Sequence, residues 1–164
     1  MDRQQIGVKL TIDGLGLSFG VNTFEDRLIM QKAVYLAQTA GVNLGYYYHW
    51  YLYGPYSPSL TRDGFAIAMD ISAGLDESKG WRLDDESSKR IERIRCLFGE
   101  KCSSKLAGKL ELLASVHFLL DRKQASRVDP SGITATLKRF NKTFEKEDVE
   151  DALEELKSYD LLEA

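Results

Sequence analysis

Apolar residues recur along this chain mostly at helical spacing, and one dense aromatic run breaks the pattern. From about Phe24 to Ala40, Ile29, Ala33, Leu36, Ala37 and Ala40 share one face of a helix. Phe24, Leu28 and Tyr35 make a second stripe, flanked by Gln31, Lys32 and Gln38. Two stripes mean a helix contacted from two sides. Thr23, ahead of Glu25 and Asp26, marks its start, because a hydroxyl accepts from free amides and carboxylates suit the positive helix end; Gly41 marks its stop. Lys32 is expected to run its methylenes along the core and carry its ammonium out to water. A sharper alternative joins the Tyr35 stripe to later tyrosines in a partner-binding groove.

The aromatic run is Tyr46 to Tyr53, continuing as Gly-Pro-Tyr-Ser-Pro to Leu60, and it holds six of the eight tyrosines and one of the two tryptophans. Bulky aromatics favour a strand, and Gly54 followed by Pro55 and Pro58 predicts a stop and a turn. Ser57 and Pro58 suit the cap and first position of a helix through Leu60, Phe65, Ile67 and Ile71, ending near Gly74. Gly74 to Asp85 predicts a loop with one short strand or hairpin arm. Upstream, Gln5 to Phe19 is ambiguous: Val8, Leu10 and Ile12 alternate like a strand, while Ile6, Leu10 and Leu17 fit a helix, towards which the reading leans.

The second half is more regular. Asp84 or Asp85 can cap a basic helix with Ile91, Ile94 and Phe98 on its apolar stripe and its arginines in solvent, ended by Gly99. Leu106, Leu110, Leu113, Val116 and Leu120 mark a helix; Asp129 and Pro130 start another carrying Ile133, Leu137 and Phe140. A third bears Val149, Leu153 and Leu156, with Phe144 placed to staple onto Val149. Three short helices followed by Ser158 to Leu162 resemble a helix-turn-helix or winged-helix module, in which an apolar strand follows the last helix. The expected class is therefore mainly α (α+β). Its parts are an N-terminal helical lobe with a small aromatic strand element (residues 1–84), a basic connecting helix (85–102) and a winged-helix-like three-helix lobe (103–164).

Composition narrows the function classes. With 164 residues and 43% hydrophobic content the chain can bury a core as one domain or as two small lobes sharing one. No apolar run approaches a membrane span and the N-terminus lacks a secretory signal pattern, so a cytoplasmic protein with no membrane partner is expected. Cys96 and Cys102 match no zinc or CxxC spacing, and each reads as a buried or idle thiol. A net charge of -3 argues against a protein devoted to phosphate backbones. Charge is nonetheless uneven: Lys89, Arg90, Arg93, Arg95, Lys101, Lys105 and Lys109 cluster, while acids dominate Glu145 to Glu163. The helix that would enter a DNA groove, Lys146 to Tyr159, carries six carboxylates against two lysines. Nucleic-acid contact is thus disfavoured, and its candidates are Arg90, Arg93 and Arg95.

Reaction chemistry is sparse. His117 lies within the Leu110, Leu113, Leu120 face and reads as a core histidine with a satisfied hydrogen bond; His49 stands among the tyrosines. No P-loop, dinucleotide fingerprint, nucleophile elbow or paired-histidine metal motif occurs, so no catalytic residue, metal or cofactor is assigned. The acids near the C-terminus have the spacing of a solvated helix face.

Met30-Gln31-Lys32 followed by Tyr35-Leu36-Ala37, then the aromatic run into Tyr53-Gly54-Pro55-Tyr56-Ser57 and Leu60, resembles the LQK...YLA...YGP pattern of YwgA-like proteins and the related SocA-like (Panacea) antitoxin domain. Met30 stands where that pattern prefers leucine, and LELLASVHFLLDR and DALEELKSYDLL extend the likeness to Leu162. The resemblance implies a mostly helical protein and, for the Panacea branch, an antitoxin that neutralises a toxin by direct contact, in at least one branch by delivering it to a protease. The residues offer their own account of the motif: Gln31 and Lys32 can hydrogen-bond the turn at Tyr53, Gly54, Pro55 and Ser57, which its prolines leave short of amide donors. Tyr35, His49, Tyr51 and Tyr56 are the candidate partner-binding residues, since tyrosine offers large area at low entropy cost. The expected function is a non-enzymatic interaction module of antitoxin or adaptor type, its partner a protein such as a toxin or a protease substrate. A homodimer also stays open, and a DNA-binding regulator is the alternative.

Overall fold

The computed structural model describes residues 1–126 and 129–162; Glu163, the end of the acidic stretch, lies outside them. Among these residues seven α-helices, two short 3-10 helices and one two-stranded sheet make a mainly α, α+β fold. The helices are α1 (Arg3–Gly14), α2 (Phe24–Thr39), α3 (Pro58–Ser72), α4 (Asp85–Ile94), α5 (Ser103–Asp121), α6 (Pro130–Arg139) and α7 (Lys146–Ser158). The strands are β1 (His49–Tyr51) and β2 (Gly54–Tyr56).

Local chemistry sets the helix ends. The Asp2 carboxylate accepts from the Gln5 amide while the Gln5 side chain accepts from the Asp2 amide, a reciprocal box that settles the ambiguous first segment as helix. Thr23 and Asp26 build the same box at α2, Ser57 and Pro58 open α3, Asp84 caps α4, and Asp129 with Pro130 opens α6. Every helix except α4 closes in a Schellman turn, for example Val42 N–H to Ala37 O with Gly41 N–H to Gln38 O. The left-handed residue is Gly16, Gly41 or Gly74 in the first three such turns, and Lys123, Asn141 or Asp160 in the last three.

Four expectations change. The strand predicted over Tyr46 to Tyr53 shrinks to His49–Tyr51, because the Gln38 side chain both donates to the Tyr46 carbonyl and accepts from its amide, occupying the places a strand partner would take. Gly54, Pro55 and Tyr56 are not a terminating turn; Leu52 and Tyr53 turn the chain, and the next three residues pair antiparallel with β1. Between Gly74 and Asp85 the chain makes a 3-10 turn, Glu77–Gly80, and no strand. After α7, Leu161 N–H bonds Leu156 O and Asp160 turns left-handed, so residues 159–162 wrap the helix end and no third strand forms among the described residues. Among the described residues the three C-terminal helices therefore carry no wing strand.

One apolar cluster runs through the whole described chain, from Val8 and Ile12 on α1, through Ala33, Leu36 and Ala37 on α2, to Leu110, Leu113, Leu137, Val149 and Leu156. The two long helices α2 and α5 pack most extensively on each other, and α5 also contacts β2 and α7. The two-sided α2 is the centre of this core, and the hairpin of β1 and β2 lies across the α2–α5 pair. No helix of the described residues is long and apolar enough to cross a membrane.

Candidate functional site

The hairpin register explains what the sequence motif holds together. The pairs are His49 with Tyr56, Trp50 with Pro55 and Tyr51 with Gly54. Proline has no N–H, so the Trp50–Pro55 pair is the non-hydrogen-bonded kind, and the Pro55 carbonyl points away from β1. Lys32 Nζ donates to it at 2.6 Å. One residue earlier on α2, the Gln31 amide grips Ser57 at both ends, Nε2 donating to its carbonyl at 2.8 Å and Oε1 accepting from its N–H at 3.0 Å. Gln31 Nε2 also reaches Thr61 Oγ1, which donates to the Tyr56 hydroxyl. The expected meeting of Gln31 and Lys32 with the turn is thus present, through Pro55 and Ser57.

Lys32 corrects a different expectation. Its side chain does not snorkel to water but is buried, only 2% exposed. Burial makes the charged form costly and brings its pKa down from 10.5 to about 7; nearby Lys142 pushes the same way and Glu111 opposes. Sequence reasoning missed the second lysine. The Schellman turn after α6 aims Lys142 inward, where its Nζ bonds Glu111 Oε1 at 2.7 Å and the Leu52 carbonyl at 3.1 Å, and lies 5.6 Å and 5.7 Å from the Trp50 and Tyr53 ring centres. Two buried lysines therefore pin the hairpin from below, one on each strand side. Gly54 is required there twice over: its φ is +87°, and a Cβ on it would overlap Ser115 Oγ. That hydroxyl is buried and has no hydrogen-bond partner among the described residues.

The alternation of the strands sorts the aromatics. Trp50 packs against Phe140 and Phe118, with centroids 4.7 Å and 5.8 Å away, and Tyr53 meets Phe24 at 4.8 Å. His49, Tyr51 and Tyr56 share the opposite, outward face: Tyr56 lies 6.1 Å from His49 and 5.4 Å from Tyr51. His49, Tyr51, Leu52 and Tyr53 are exposed. Of the four candidate partner-binding residues the structure brings these three together.

Tyr35 does not join them. It is 7% exposed, and its hydroxyl lies 2.7 Å from His117 Nδ1. It supports the floor of a separate cleft of about 920 Å³ bounded by Tyr46, Tyr47, Tyr48, Arg122 and Leu161. The rest of that floor is internally bonded, with Tyr48 donating to the Gln31 carbonyl and Thr39 to the Tyr35 carbonyl. Burial holds His117 below its usual pKa, opposed by Asp121 and by the Leu161 backbone, and its Nδ1 shares a hydrogen bond with the Tyr35 hydroxyl. The satisfied hydrogen bond expected of a core histidine is present, but His117 is only half-buried, at the cleft wall.

The arginines of the basic helix stand at the surface as expected, Arg93 and Arg95 exposed and Arg90 half-buried, and two of them also reach the end of α2. Arg90 Nη1 donates to the Gly41 carbonyl and pairs with Glu86 at 3.0 Å, and Arg93 Nη2 donates to the Ala40 carbonyl at 3.3 Å. Both supply positive charge to the C-terminal end of α2, which has no basic residue in its own last turn. Arg95 lies against Gly16 and 3.8 Å from Glu92. Among the described residues no group of three or more His, Cys, Asp or Glu side chains is placed to hold a metal.

No protein-family model matches the chain, and no curated protein or solved structure matches it.

Proposed function

We propose that this chain is a non-enzymatic protein-interaction module of antitoxin or adaptor type, and that the outward face and tip of the hairpin form its docking surface. The observation that carries the reading is an exposed aromatic surface on a rigid support. His49, Tyr51 and Tyr56 with Leu52 and Tyr53 stand in solvent or at its edge, while Gln31, Lys32 and Lys142 fix the backbone beneath them. A surface ordered before binding loses little entropy when a partner arrives, and tyrosine supplies area and hydrogen bonding together. The resemblance to YwgA-like and SocA-like proteins supports the same reading, since its motif residues are the ones that hold the hairpin. The DNA-regulator alternative is weakened because Arg90 and Arg93 are occupied at the end of α2.

The test is affinity capture of the tagged chain from its host, with nuclease treatment in parallel, followed by the same capture with Leu52→Asp and Tyr51→Ala. A stoichiometric protein that survives nuclease and is lost in both variants, at an unchanged melting temperature, is the expected result. Recovery of nucleic acid, with partners lost on nuclease treatment, would replace this reading by the regulator.

A further inference from the structure

α3 leaves one face uncovered. Leu60, Gly64 and Ile67 are buried, while Arg62, Phe65, Met69 and Ser72 follow one another at steps of three, four and three residues on the exposed side. Phe65 is 46% and Met69 72% exposed, and Leu75, just beyond the left-handed Gly74, extends the strip. Scattered surface apolar residues need no explanation, but a contiguous strip with the seam spacing of a two-helix coil does.

We propose that this face is a homodimer interface, in which α3 packs antiparallel against α3 of a second copy about a two-fold axis level with Ile67. A two-fold contact must match itself, so residue i of one copy meets j of the other and the reverse. With the axis at this level Phe65 meets Met69 and Arg62 meets Ser72, while Ala66 and Ala68 flank the seam on either side. The alanines are small enough to let the helices approach.

Charge selects a second copy as the occupant. α3 has no basic residue in its last turn, and the closing bonds from Ala73, Gly74 and Leu75 go to Met69, Ile71 and Asp70, leaving the Ser72 carbonyl without a backbone donor. Arg62 is exposed and has no hydrogen bond or ion pair among the described residues. The antiparallel arrangement brings it to that helix end, where a cation is favoured. The carboxylates of α3 do not oppose the contact: Asp63 accepts from Gln5 and the Tyr46 hydroxyl, and Asp70 pairs with the Met1 ammonium at 2.9 Å. The seam residues Arg62, Phe65, Met69 and Ser72 are none of those assigned to the hairpin face, so either reading can stand without the other.

Sedimentation velocity on the full chain across a concentration series tests the proposal. The wild type is expected to shift from monomer to dimer. Phe65→Glu should weaken the dimer about 30-fold or more, as loss of a central apolar contact does. Tyr51→Ala should leave it unchanged, and at concentrations where the wild type is monomeric the melting temperature of Phe65→Glu should hold because Phe65 is exposed. Register is read by mixing Phe65→Cys and Met69→Cys chains in a Cys96→Ser, Cys102→Ser background under mild oxidation: the mixture should cross-link faster than either alone. A wild type that stays monomeric to about 100 μM, a weak affinity for any dimer, would overturn the proposal. So would a dimer that Phe65→Glu leaves intact, or equal cross-linking in mixed and unmixed samples.

Discussion

Replacing Lys32 by methionine tests the central physical claim about the hairpin support. Lys32 is buried with its pKa near 7, so between about pH 7 and 10.5 the unfolded chain holds a proton that the folded chain does not. Stability therefore rises with pH through that window, because the unfolded state binds more protons there. Each pH unit corresponds to about 1.4 kcal/mol, and from pH 7 to 9.5 the expected gain is roughly 3 kcal/mol. The usable range stops there: burial raises the pKa of Tyr35, Tyr46 and Tyr48, and above about pH 10 tyrosines ionise in the unfolded chain first and reverse the slope. Met1 and Cys102 also titrate in this range, in opposite directions, but equally in wild type and variant. The difference between the two proteins therefore isolates Lys32. Methionine matches the stem but cannot donate, so Lys32→Met leaves the Pro55 carbonyl unpaired at a cost of about 1–3 kcal/mol, offset at pH 7 by the removal of a group costly to charge. The assay is urea unfolding at pH 7, 8, 9 and 9.5, checking that the slope with denaturant stays constant. The expected result is a wild-type stability that climbs relative to Lys32→Met by roughly 3 kcal/mol. A difference that is flat or falls with pH would refute the buried, weakly basic lysine.

Gly54→Ala forces a left-handed φ on a side-chain residue and drives a methyl into Ser115, so a loss of about 2–4 kcal/mol is expected in denaturant unfolding, partly relieved by Ser115→Gly. His117 is held below its usual pKa of 6.5, so the unfolded chain takes up a proton first as pH falls; stability should decline below about pH 6.5, and His117→Phe should flatten that decline in melts from pH 7 to 5. Tyr35→Phe should cost about 1 kcal/mol through the lost bond to His117, while leaving partner capture intact because its ring faces inward. Arg93→Ala should cost only about 0.5–1 kcal/mol, the value of charge at a helix C-terminus, and high salt should reduce that cost.

Much of the fold was legible in the chain because helix ends are local. The hydroxyl or carboxylate of Thr23, Ser57 or Asp129 meets amides two or three residues away, and the apolar periodicity of α2, α3 and α5 follows from a backbone repeat of 3.6 residues. The hairpin contact of Gln31 and Lys32 could also be anticipated, since the prolines left acceptors without donors nearby. What tertiary structure decided was which distant group answered each local need. Gln38 replaced a strand partner for Tyr46 and so shortened β1. Lys142 and Glu111 met beneath Leu52, although Lys142 follows it by 90 residues. Arg90 and Arg93 reached the end of α2, 49 and 53 residues away, and cap it from the surface. The fate of Lys32 shows the reason most clearly. Its sequence neighbours permit either a solvated or a buried ammonium, and only the packing of the hairpin and α5 across α2 closes the route to water.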